Sequence, residues 1–200
     1  MKFLWCDTET TGLETSNAAP FQVAFIFCYS QKLSDGNLLK EESERVFNLN
    51  CLDIPGIEYS EEAGKIHGYT KEQIESFESS KSAVAKINSC LNDFMNYKDN
   101  QPMFFCGYNS SSFDWNHLVS LFKKYGYDFS RYFYSQKLDV FEQVKEAGRQ
   151  KILPYLENRK LTTIAKFLNI KMDNAHDALC DIRATREVAK SLTSKGIKLK

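Results

Sequence analysis

Two hundred residues, 42% of them apolar and fifteen of them phenylalanine, can fill one well-packed core and leave little for a second. Twenty-six basic residues balance twenty-six acidic ones, which excludes a protein that coats nucleic acid by bulk charge but not an enzyme that grips one strand end. The six cysteines form no Cys-x-x-Cys pair, and Cys6, Cys28 and Cys106 lie in apolar runs, a pattern of small buried hydrophobes in a reducing compartment rather than of a zinc site.

Phe3-Leu4-Trp5-Cys6 is too short for the apolar region of a secretion signal, and no apolar run is long enough to cross a bilayer. The expectation is a cytoplasmic protein without membrane contact, forming one domain over residues 1–200. In chain order, residues 2–7 read as a buried strand, 8–19 as a polar loop and Phe21–Tyr29 as a second strand. Asp35-Gly36 signals a hairpin turn, and a third strand follows within 38–49, centred on Arg45-Val46-Phe47-Asn48-Leu49. Ser60 starts a short helix, and Thr70-x-x-Gln73 is a capping box for another. Over 81–97, Val84, Ile87, Leu91, Phe94 and Met95 recur at helical spacing. Met103–Cys106 follows Pro102 as a buried fourth strand. Ser110 to Ser112 offer a cap for a helix carrying Phe113, Leu118, Leu121 and Phe122. Residues 132–140 hold a fifth strand or the entry to a helix, and amphipathic helices cover 161–168 and 177–192. Strands that come first as hairpins and later alternate with helices imply an α/β fold, a mixed five-stranded sheet with helices on both faces.

The chemistry begins with Asp7 and Glu9. Two residues apart on a strand, they share a face with Phe3 and Trp5, so the strand end must project into a cleft. Thr10-Thr11-Gly12 adds hydroxyls and a residue that permits close backbone approach to a ligand. Asp114 supplies a third carboxylate near a helix start, where the helix dipole alone would also favour it. His117, three residues on, tempts a two-ligand reading, but a histidine suits zinc while the carboxylates suit magnesium or manganese. His176 and Asp181 are five residues apart, about 140° around an ideal helix. They serve one centre only if His176 sits in the loop before the helix and Asp181 inside it, with Asn174 or Asp177 at the helix start. Four unaided carboxylates would repel one another and raise their pKa values. Two divalent cations neutralise that charge, and a histidine of near-neutral pKa can take a proton from water.

These segments resemble the motifs of the DEDDh exonucleases, a group that includes the proofreading epsilon subunit of bacterial DNA polymerase III, RNase T, oligoribonuclease and the Trex nucleases. Asp7-Thr8-Glu9-Thr10-Thr11-Gly12-Leu13 is similar to the first motif. Asn109 with Phe113-Asp114 and Leu118 is similar to the second. His176-Asp177-Ala178-Leu179-Cys180-Asp181 with Ala184-Thr185 is similar to the third. The helix over 161–168 lies where the family has one leading into that motif, and Ile66-His67-Gly68-Tyr69-Thr70 resembles a further family segment, which gives His67 a structural role. The resemblance implies an RNase H-like fold and release of nucleoside 5′-monophosphates from 3′ ends. It implies two magnesium or manganese ions: Asp7 bridging both, Glu9 and Asp181 on the ion that binds the attacking water, Asp114 on the other. His176 would be the general base. Leu13 would pack on the terminal base, and the backbone around Thr10 and Thr11, with Tyr108 and Asn109, would contact the terminal nucleotide. The family often has histidine where this chain has Tyr108, which either stacks on a base or belongs to the core.

No Gly-x-Gly-x-x-Gly occurs, and Gly64-Lys65 lacks the rest of a phosphate loop. A cysteine hydrolase on Cys6 or Cys180 would leave the carboxylates unexplained. The expected substrate is the 3′ end of a single strand, DNA favoured over RNA, with a short-RNA trimming enzyme or a polymerase-associated scaffold as alternatives and a polymerase or a second copy as possible partners. Lys123, Lys124, Lys151, Arg159 and Lys160, and a C-terminal group of Lys190, Lys195, Lys198 and Lys200, offer local positive charge for a strand or simply form a solvated face.

Overall fold

A computed structural model of the chain describes residues 1–32, 38–173 and 176–199; the Asp35-Gly36 turn, Asn174 and Lys200 lie outside the described residues. Three strands come first, β1 (Lys2–Thr10), β2 (Pro20–Lys32) and β3 (Leu38–Asn50), paired antiparallel in sequence order. β2 is buried from Pro20 through Phe27, as a near-continuous apolar run demands of a strand covered on both faces. β1 instead alternates, with Leu4, Cys6, Thr8 and Thr10 buried and Phe3, Trp5, Asp7 and Glu9 half-buried on the other side.

Two short helices follow. α1 (Glu61–His67) is capped by Ser60, which accepts from the Ala63 N–H, and stops at Gly68, whose φ of 77° needs glycine. α2 (Lys71–Glu75) carries the full Thr70–Gln73 capping box. A two-residue strand β4 (Glu78–Ser79) adds to the free edge of β3, and α3 (Ser80–Asn96) buries Val84, Ile87 and Leu91. Next come β5 (Met103–Gly107), α4 (Asp114–Lys124), β6 (Phe133–Asp139), α5 (Val140–Arg149), α6 (Leu161–Phe167) and α7 (Ala178–Ser194). β5 runs parallel to both β1 and β6, giving the sheet order β4-β3-β2-β1-β5-β6.

The sheet therefore has six strands rather than five, because β4 is too short to leave a pattern of its own. α3 and α4 close one face over Leu4, Cys6, Val23 and Phe25; α7 closes the other over Trp5, Ala24 and Ile26, with α5 and α6 packed against α7. β1 extends three residues beyond the strand read over 2–7, because Thr8 and Thr10 turn into the buried face while Asp7 and Glu9 turn away from it. Residues 133–139 are a strand and are followed at once by α5, which the 132–140 reading left undivided. The serine cap expected for α4 does not form: Phe113 precedes the helix without a side-chain cap bond, while the Ser111 hydroxyl donates to Asp139 and the Ser112 hydroxyl to the Asn109 carbonyl. All six cysteines carry free thiols. Among the described residues, no helix is long and apolar enough to cross a membrane.

Candidate active site

β1 pairs with β5 only from Phe3 to Trp5, so its last residues run on with a ladder on the β2 side alone. The gap opens at the carboxyl ends of the parallel strands, where open α/β sheets form crevices. β5 passes β1 closely at Gly107: a Cβ there would stand 2.7 Å from the Cys6 carbonyl oxygen and 2.3 Å from Ser110 Oγ, so only glycine fits. The chain then turns through residues 108–113 and delivers Asp114 as the first residue of α4. Asp114 is 4% exposed, and its Oδ1 accepts a 2.6 Å bond from Thr8 Oγ1.

The opposite wall is the start of α7. Asp177 caps it, accepting from the Cys180 N–H at 3.0 Å, and Gln22 Oε1 accepts from the Ala178 N–H at 2.8 Å. Gln22 lies on β2 directly across from Glu9, so this bond docks the helix beside that carboxylate. Asp181 falls in the first turn, and His176 stands just outside the helix in the left-handed region at φ 68°. The His176 N–H points back to Asp181 Oδ2 at 3.4 Å. One ligand atom from each of Glu9, His176 and Asp181 lies within 4.8 Å of the other two. The arrangement is the one that the five-residue spacing requires.

The electrostatics match a site built for positive charge. Burial, then the charges of Asp114, Asp181 and Glu9, hold Asp7 well above the usual carboxylate range. Burial and the neighbouring Asp181 and Asp114 push Glu9 up to about 8. Burial lifts Asp114 to about 7 against the opposing bond from Thr8, and Asp181 to about 6 against the His176 N–H. Asp181 Oδ1 is buried and has no hydrogen-bond partner among the described residues. An orphaned carboxylate oxygen among hard oxygen donors fits a divalent cation such as magnesium or manganese.

The exonuclease family model described as RNase_T matches residues 4–189, a span that contains all three segments. The chain belongs to the DEDDh exonuclease family. Among solved structures, the zinc-bound E. coli exonuclease I complex with single-stranded DNA superposes with a TM-score of 0.75 at 24% identity, covering 97% of this chain and 40% of that one. A product-bound exonuclease I gives a TM-score of 0.74 at 22% identity, covering 96% of this chain and 43% of that one. The RNase H-like fold is thus shared, and this exonuclease chain spans about two fifths of the length of the structures it matches. No curated protein matches the chain.

The remaining candidate residues of this DEDDh chain divide between two loops. In the first, Thr10 Oγ1 donates to the Gly12 carbonyl at 2.7 Å, and the buried Thr11 accepts from the Ala19 N–H at 3.3 Å. Leu13 is 79% exposed, an isolated apolar side chain at the rim, and His117 Nε2 lies 3.1 Å from its carbonyl oxygen. His117 thus anchors the Leu13 loop from behind. In the second, Asn109 is exposed with φ 57°. Tyr108 packs its ring on Phe141 and donates its hydroxyl to the Arg159 carbonyl, which favours the core alternative over stacking. His67 accepts from the Tyr69 N–H and packs on Phe21, as a structural residue would. Of the basic residues, Lys123, Lys124, Lys151, Arg159, Lys160, Lys195 and Lys198 are exposed, and Lys190 is paired with Glu187. Lys151 and Arg159 line a groove of about 760 Å³ beside α5.

Sequence reasoning missed Gln22, which docks α7, and Asp139, which ends β6 and accepts four hydrogen bonds. A signal for Asp139 existed: it is an acid between two apolar residues, Leu138 and Val140, at a strand's carboxyl end. Gln22 carried none, because one glutamine at the start of an apolar strand says nothing of a partner 156 residues away.

Proposed function

We propose that this chain is one exonuclease domain, residues 1–200, that removes nucleotides from the 3′ end of single-stranded DNA as nucleoside 5′-monophosphates, using two magnesium or manganese ions. The observation that carries this reading is the convergence of Asp7, Glu9, Asp114 and Asp181 beside His176, with every carboxylate pushed above its ordinary range and one buried oxygen left without a partner among the described residues.

Glu9 and Asp181 would hold one ion, Asp114 the other, and Asp7 both. When bound, the ions would supply a water acidic enough to lose its proton near neutral pH and would offset charge at the phosphorus and the leaving oxygen. His176, in the loop before α7 and open to solvent, would take the proton from the attacking water. The water oxygen then forms its bond to phosphorus as the bond to the 3′ oxygen of the next nucleotide breaks. Asp177 and Gln22 hold the helix start that fixes His176 relative to Asp181. His117 holds Leu13 where a terminal base would lie. DNA is favoured because the superposed exonuclease I was solved with single-stranded DNA.

Two matched oligonucleotides, one DNA and one RNA, each labelled at the 5′ end, test this with magnesium or with chelator. A metal-dependent ladder shrinking from the 3′ end on DNA supports the proposal. A faster ladder on RNA would reassign the substrate to short RNA, and no ladder on either would point to a scaffold or to a module that needs a polymerase partner or a second copy.

A further inference from the structure

Asp139 stands at the end of β6 and is 5% exposed. Its Oδ1 accepts from the Phe141 N–H at 2.9 Å and from the Asn109 N–H at 2.7 Å. Its Oδ2 accepts from the Ser111 N–H at 3.2 Å and from Ser111 Oγ at 2.8 Å. Four donors use up the acceptor sites of an ionised carboxylate, so Asp139 has nothing left to offer a cation. Capping α5 takes only the first of these bonds. The other three cross to the loop between β5 and α4, 28 or 30 residues earlier in the chain.

That loop needs external support. Asn109 sits in the left-handed region, where even asparagine pays a conformational cost, and the helix that follows has no side-chain cap of its own. Short bonds to charged acceptors are about twice as strong as neutral ones, and these are partly buried. We infer that Asp139 is a positioning residue that fixes Asn109 toward the strand end, so that the grip on substrate depends on a side chain that touches neither substrate nor metal. The inference rests on the proposed function.

An asparagine at this position makes the distinction. It keeps the shape but turns one oxygen into an N–H donor, so it loses either the two bonds on Oδ1, from Phe141 and Asn109, or the bond from the Ser111 N–H on Oδ2. Asp139→Asn and Asn109→Ala, made singly and together, are compared by kcat and KM on a 5′-labelled oligothymidylate with magnesium, alongside the melting temperature. The expected result is a KM raised about tenfold by Asp139→Asn, equivalent to about 1.4 kcal/mol, with kcat held within about threefold. The substitution should add nothing further in the Asn109→Ala background, because residues acting through one another are not additive. Effects that multiply independently, or a lower melting temperature with unchanged KM for the folded fraction, would overturn the role. Should Asp139→Asn fail to fold, Ser111→Ala removes the Oγ bond alone and should raise KM about threefold, again only when Asn109 is present. An inactive wild type would remove the proposed function and this inference with it; an active wild type with unmoved KM in the variants would remove the inference only.

Discussion

Asp181→Asn, studied without metal, separates a site built for cations from an ordinary acidic cleft. Burial holds the Asp181 carboxyl at about 6, against an ordinary value of 3.8. Between those two values the folded chain binds more protons than the unfolded chain, so stability falls as pH rises through that window and stays lower above it. Keeping this carboxylate ionised in the folded chain costs about 3 kcal/mol, a ceiling because Asp181 is only half-buried. The amide carries no charge and escapes that cost. Urea unfolding in chelator, followed by the fluorescence of Trp5 and Trp115, should show wild type and Asp181→Asn equally stable at pH 4. By pH 8 the variant should be more stable by about 1–3 kcal/mol. The comparison cancels His67 and His117, whose pKa values burial lowers and whose contribution runs the other way with pH. Manganese should reverse the order, since it stabilises what binds it in proportion to affinity. A variant no more stable than wild type at pH 8 in chelator would refute the electrostatic account.

His176→Ala should leave metal binding intact by calorimetry while lowering turnover by about 10²–10⁴, the worth of a general base; lost metal binding would make His176 a ligand instead. Gly107→Ala places a methyl group against Ser110 and the Cys6 carbonyl and should cost about 1–3 kcal/mol in chemical unfolding; an unchanged midpoint would mean that the strands can part there. If Lys151, Arg159 and Lys160 bind the strand, kcat/KM on single-stranded DNA should fall steeply with added salt, and a flat profile would leave them as a solvated face.

Much of the frame is legible in single residues. The Thr70–Gln73 box and the Ser60 cap form as read, because capping is settled within one turn. The spacing of His176 and Asp181 places one outside α7 and the other inside it, because helix geometry leaves no alternative. α5 is harder to see. Its buried face includes Gln143, whose amide nitrogen donates to the Ala189 carbonyl, the Thr193 hydroxyl and the Ile197 carbonyl, all far along the chain. A polar residue paired in that way looks like a solvent-facing one until the fold is known. The same holds for His117 and Asp139: each is defined by a backbone group that only tertiary structure brings within reach.

β1 continues from Trp5 to Thr10 with a ladder on one side only, which makes its end a short open edge inside the sheet. Open edges invite another chain to add a strand, and charged side chains are a common defence. Asp7 and Glu9 line this edge as well as the cleft, so in their ionised form they place charge where an added strand would have to sit. Inactive forms meant for crystallisation or substrate trapping are better made with Asn or Gln here than with Val or Leu, since an apolar pair would turn the same edge into an aggregation seed.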